Sequence, residues 1–89
     1  MHERELTVSN RLGLHARAAA KLVQTVQKFR SNVLLVHEGR EVNAKSIMGV
    51  MMLAAGQGTS LTLRVDGADE EAACTAVADL FEHKFGEGG

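Results

Sequence analysis

From Glu5 to Ser9 apolar and polar positions alternate, with Leu6 and Val8 on one side. That is the pattern of a strand with one buried face. At Ala16 the period changes: Ala19, Leu22, Val23, Val26 and then Phe29 or Arg30 recur at helical spacing, while Lys21, Gln24 and Lys28 fall elsewhere. Val33 to His37 is a β-branched and leucine-rich run, Glu38-Gly39 supplies a turn, and Arg40 to Val42 resumes the extended pattern, which together predict a hairpin. Ser46 then stands ahead of "IMGVMMLAAG". Serine is a good N-cap and Gly56 a good terminator, so a short helix is expected over Ile47 to Leu53, with Gly49 costing about 1 kcal/mol of helix propensity. Thr59 to Val65 alternates again, with Leu61, Leu63 and Val65 on one face, and Asp66-Gly67 turns the chain. A last helix is expected from Asp69 to Lys84, burying Ala73, Val77, Leu80 and Phe81, with Cys74 as a small residue near that face. Its acidic first turn, and His83 and Lys84 in its last turn, suit the helix dipole.

The element order is β-α-β-β-α-β-α. Each strand has one clearly apolar face, so the simplest architecture is a single sheet with the helices packed on one side, an α+β two-layer domain. The chain of 89 residues is long enough for one domain and one core, taken here as 1–89 with a frayed tail over 86–89.

Composition narrows the function. With 45% hydrophobic and 24% charged residues the chain is an ordinary globular one. A net charge of -1, three phenylalanines and no tyrosine or tryptophan make a poor nucleic-acid or anionic-membrane binder. One cysteine excludes an internal disulfide and fits a reducing compartment. "MHERELTV" carries no secretory signal and no stretch is long enough to span a membrane, so the expected location is the cytoplasm. His2, His37 and His83 are scattered, with no metal-ligand spacing. "GQG" at Gly56 to Gly58 is too short for a phosphate loop.

Chemistry concentrates in "NRLGLHARAAAKLV", Asn10 to Val23. The helix there begins without a Ser, Thr, Asp or Asn cap, and His15 and Arg17 occupy its start. The first N–H groups of a helix lack intrahelical partners and, with the positive dipole end, favour anions. Arg17 adds a planar donor fork suited to phosphate, and Arg11 and Lys21 add diffuse positive charge. Imidazole titrates at about 6.5, so a neutral nucleophilic nitrogen is available near pH 7. A nucleophile beside an anion site fits a covalent phosphohistidine. The spacing alone also fits a plainer reading, with His15 a capping or surface residue and Arg17 merely solvated. Ser46, read in the same way, is an N-cap.

"NRLGLHARAAAKLV" closely resembles the active-site segment of the HPr family, the histidine-containing phosphocarriers of the bacterial phosphoenolpyruvate-dependent phosphotransferase system. "NAKSIMGVMMLAAGQGTSLTL", Asn43 to Leu63, resembles that family's second signature. The resemblance spans essentially the whole chain. It implies a four-stranded antiparallel sheet with three helices on one face, an open-faced β-sandwich. His15 would take a phosphoryl group at Nδ1 from phosphorylated enzyme I and pass it to an enzyme IIA domain. Arg17 and the Ala16 backbone N–H would hold the phosphate, and Ser46 would be the target of an HPr kinase/phosphorylase. Leu14, Ala16, Ala20, Gln24, Ile47, Met48, Met51 and Met52 would form the partner-binding face. The resemblance implies a monomeric carrier with no cofactor or metal and no catalysis of its own. The family commonly has proline where this chain has Ala18. Two other functions compete: a regulatory module acting through the Ser46 helix in place of phosphotransfer, and an α+β ligand- or RNA-binding module.

Overall fold

The computed structural model describes residues 1–87. Strand β1 (His2–Thr7) is followed by helix α1 (Ala16–Val26), strands β2 (Asn32–His37) and β3 (Arg40–Asn43), helix α2 (Ile47–Met52), strand β4 (Ser60–Asp66) and helix α3 (Glu70–Glu82), with a 3-10 turn at Lys84–Gly86. The strands form one antiparallel sheet in the order β1-β4-β2-β3. This is the expected α+β architecture.

The period-2 pattern sets the register. Leu6 pairs with Leu61 and Leu35 with Leu63, so the apolar sides of three strands coincide on one face. That face buries Leu6, Val33, Leu35, Leu61, Leu63 and Val65 beneath Leu22 and Val26 of α1, Val50 of α2, and Val77 and Phe81 of α3. Each such side chain contributes about 1.5–3 kcal/mol on leaving water. Cys74 is buried with them, as expected, and Leu80 lies only partly buried at the margin. The other face is polar, with Arg64 donating to Glu41 at 3.1 Å.

Several boundaries differ from the sequence pattern for identifiable reasons. β1 starts at His2, because its first residues pair with β4 while staying exposed at the sheet edge and so show no alternation. Beyond Thr7 the pairing thins to Val8, whose N–H donates to Thr59. The β2–β3 turn is a two-residue one, with Glu38 and Gly39 both at positive φ, as a right-twisted hairpin requires. α2 ends at Met52, within a residue of the expected Leu53, but Gly56 is not what turns the chain. Leu53 caps it and Ala54 takes the left-handed position at φ 51.

α3 ends at Glu82, before the expected Lys84. Lys84, Phe85 and Gly86 then all have positive φ. This reversal puts the Phe85 ring in the core, edge-on to Phe81 with centroids 4.9 Å apart. Burying an aromatic ring offsets the roughly 1–2 kcal/mol that each left-handed non-glycine residue costs. Gly86 and Glu87 are therefore held in place where a frayed end is expected; the rest of that expectation concerns residues 88–89, outside the described residues.

At the other end of α3, Asp69 does not cap its own helix. Its carboxylate accepts from the Ser31 hydroxyl at 2.6 Å and from the Arg30 and Ser31 amides at 2.9 Å. The Ser31 hydroxyl and the two amides hold the Asp69 carboxyl down to about 2.

Candidate functional site

The connection between β1 and α1 is pinned from both sides. Asn10 is fully buried, and its Nδ2 donates to the Gly13 carbonyl at 2.7 Å. Gly13 turns the chain at φ 70, lying so close to the Ala55–Gly56 backbone that no side chain fits. Leu14 is buried and donates its N–H to Ala55 at 2.9 Å. These contacts deliver His15 to the N-cap of α1 in extended conformation.

The imidazole takes the capping place left vacant by Ser, Thr, Asp and Asn. Its Nδ1 accepts the Arg17 N–H at 3.3 Å, a long and weak bond. Its Nε2 lies 2.5 Å from Oε2 of Glu87. An ionised carboxylate only accepts and an amide only donates. Both neighbours therefore require the same tautomer, with the proton on Nε2 and the lone pair on Nδ1. The side chain remains 28% exposed, so that lone pair is reachable.

Glu87 is fixed in turn. Its Oε1 accepts from Asn10 Nδ2 at 3.0 Å. The Asn10 amide first, then His15 and Lys21, hold its carboxyl below the usual range against the cost of partial burial. Lys21 donates to the Phe85 carbonyl at 2.6 Å, so it serves the tail and is less of a diffuse charge than its position in the sequence implies. Leu12, His15, Ala16, Arg17, Lys21, Gly86 and Glu87 line an open depression of about 620 Å³. Ala16 and Arg17 are exposed, the Arg17 guanidinium has no ion-pair partner among the described residues, and the Ala16 and Ala18 N–H groups likewise lack partners there. An anion placed beside Nδ1 would meet donors on this side.

The other expected residues gather on α2. Ser46 is an exposed N-cap whose hydroxyl accepts the Gly49 N–H at 3.0 Å. Ile47, Met48, Met51 and Met52 are all exposed, Met48 by 72%, while Val50 is the helix's one buried residue. Gln24 is exposed and Ala20 half-buried on α1. Leu14 is the exception: it points into the core and cannot belong to a partner-binding surface, because the Gly13 turn directs it inward. Leu12, 67% exposed, sits beside His15 in its place. Sequence reasoning assigned no role to Asn10 or Glu87. Asn10 carried a signal, an asparagine three residues before a glycine turn; Glu87 carried none. No group of His, Cys, Asp or Glu among the described residues could hold a metal ion, and no helix there is long and apolar enough to cross a membrane.

Residues 2–83 match the family model described as the PTS HPr component phosphorylation site. The chain belongs to the HPr family. It is 64% identical to the phosphocarrier protein HPr of Xylella fastidiosa (strain Temecula1), over 98% of each chain. Among solved structures it is similar to HPr-C-His from Thermoanaerobacter tengcongensis, with a TM-score of 0.95 and 48% identity over 98% of both chains. It is also similar to the Bacillus subtilis catabolite repression protein Crh, with a TM-score of 0.77 and 42% identity over 94% of this chain and 97% of that one. In HPr-family terms, both signature segments are present, and the structure brings the first to the start of α1 and the second to the start of α2.

Proposed function

We propose that this HPr-family chain is a phosphocarrier of the phosphotransferase system, taking a phosphoryl group on Nδ1 of His15 from phosphorylated enzyme I and giving it to a histidine of an enzyme IIA domain. One observation carries the reading. The half-buried imidazole caps α1 with its lone pair on Nδ1, beside Arg17 and open helix-start N–H groups.

In the forward step the Nδ1 lone pair attacks phosphorus. The donor's nitrogen–phosphorus bond breaks, and its electron pair returns to the donor imidazole. The weak Arg17 N–H bond to Nδ1 is given up and becomes a donor to a phosphoryl oxygen, joined by the Ala16 N–H. The Arg17 fork binds two oxygens and neutralises charge that builds in the transition state. The chain alone turns over nothing, because donor and acceptor are other proteins, both meeting it in the cytoplasm as a monomer. The exposed face of Ile47, Met48, Met51 and Met52, with Leu12, Ala16, Ala20 and Gln24, suits several partners, since methionine repacks easily.

Incubation with phosphoenolpyruvate and enzyme I is the test. The chain should gain one acid-labile phosphoryl group and His15→Ala none, with a cooperative unfolding transition retained apart from the cost of the lost cap. Labelling of His15→Ala, or none of the native chain, refutes the proposal.

A second reading, regulation through the Ser46 helix without phosphotransfer, draws on the exposed Ser46 hydroxyl and the likeness to Crh. The same incubation separates the two, since a purely regulatory chain stays unlabelled. An HPr kinase/phosphorylase acting on Ser46 is compatible with either.

A further inference from the structure

We infer that Glu87 is a positioning residue for His15, its carboxylate holding the ring proton on Nε2 so that Nδ1 is the nitrogen that receives and releases the phosphoryl group. The inference rests on the phosphocarrier reading above. Its geometric basis is independent of that reading: two neighbours of opposite character, the Glu87 carboxylate on Nε2 and the Arg17 amide on Nδ1, select one tautomer between them. Of the two, Glu87 is the stronger partner at 2.5 Å against 3.3 Å.

The placement of Glu87 is built. Phe85 is buried against Phe81, three successive positive φ values turn the chain back over the site, and Lys21 ties the Phe85 carbonyl. Asn10 completes the arrangement. Its side chain is fully buried, and its Nδ2 serves two acceptors at once, the Gly13 carbonyl and Glu87 Oε1. One buried amide therefore links the turn that delivers His15 to the carboxylate that orients its ring. This is the logic of a nucleophile's or base's third group, an acceptor that fixes a ring tautomer.

The charge balance gives the contact a second role. When Nδ1 donates its lone pair to phosphorus, the ring keeps its Nε2 proton and becomes cationic. The carboxylate already on Nε2 offsets that charge. No proton has to enter or leave as the phosphoryl group arrives, and none has to return as it departs.

The test uses the full chain with nitrogen-15 in the histidine ring, comparing the native protein with Glu87→Ala and Glu87→Gln. The native His15 signals should report a protonated Nε2 and a bare Nδ1. In Glu87→Ala the two signals should move toward each other as the tautomers mix, with a cooperative unfolding transition retained at somewhat lower stability. Transfer from enzyme I should slow about three- to tenfold, the worth of an ordinary net hydrogen bond, because the contact is partly solvated. Glu87→Gln keeps an acceptor oxygen without the charge, so it should restore the native ring signals but only part of the rate. Native ring signals in Glu87→Ala, or a native transfer rate, overturn the inference. If the native chain accepts no phosphate at all, the carrier reading fails instead, and the ring signals still report whether Glu87 holds the tautomer.

Discussion

A methyl group on Gly13 strikes the joint that delivers His15. A Cβ there would lie 2.5 Å from the Ala55 carbonyl oxygen and 2.8 Å from Gly56 Cα, and the residue sits at φ +70. Left-handed backbone costs an alanine about 1–2 kcal/mol. The contacted atoms are backbone, so relief requires the Ala55 carbonyl to move off the Leu14 N–H that it now accepts at 2.9 Å. Weakening that bond adds about 0.5–1.5 kcal/mol, and with residual strain the total for Gly13→Ala comes to about 2–4 kcal/mol. For a domain of this size that lowers the melting temperature by about 10–30 °C. Urea unfolding with linear extrapolation reads the change directly. Gly39→Ala is the control: φ there is +81, but a Cβ meets nothing within 4 Å, so only the conformational cost of about 1–2 kcal/mol applies. Equal losses in the two variants would refute the collision argument.

Asp69 gives the chain an acid limit. Its carboxyl titrates at about 2 when folded against an ordinary 3.8. Its contribution is therefore complete above about pH 4 and is lost as pH falls toward 2. Asp69→Asn should lower stability at neutral pH and flatten the stability slope in that window; an unchanged slope by urea titration at successive pH values would count against the Ser31 network. Ala18→Pro should change stability by less than about 1 kcal/mol, because the Ala18 N–H makes no bond among the described residues. A loss above about 2 kcal/mol in thermal unfolding would show that the ring does not fit the buried site. Arg17→Lys should slow transfer from enzyme I more than its conserved charge implies, since the bidentate fork is lost; an unchanged rate removes Arg17 from the mechanism. Ser46→Asp should weaken enzyme I binding in titration while leaving the unfolding curve intact, because the new anion favours its own helix start but must be desolvated beside Ile47 and Met48 on docking. Equal affinity would exclude that account.

Where one physical pattern dominated a segment, the sequence was legible. Period-2 alternation located β4, helical spacing located α1, and Ser46 marked the start of α2. The absence of a conventional cap ahead of α1, with His15 and Arg17 at that helix start, was likewise visible as a local feature. What sequence could not disclose depends on distant contacts. Leu14 and Leu12 are both leucines flanking one glycine, yet the positive φ at Gly13 buries the first and exposes the second. Phe85 ends α3 early only because a core site for its ring exists beside Phe81. Glu87 lies in a glycine-rich tail, and nothing local distinguishes it from a solvated acid. Its partners are Asn10 and His15, at the other end of the chain.

The sheet order has a consequence for synthesis. β1 lies at one edge and pairs only with β4, so Leu6 must wait for Leu61. The β2–β3 hairpin closes from neighbours and forms fast, whereas joining β1 to β4 requires a long loop to close. At 5–20 residues per second, roughly, the ribosome leaves that first strand unpaired for seconds while the middle of the chain emerges. His15 is synthesised 72 positions ahead of its Nε2 partner. The start of α1 is thus completed by a residue that follows α3, and the nascent protein cannot assemble it until α3 and the turn after it have left the ribosome.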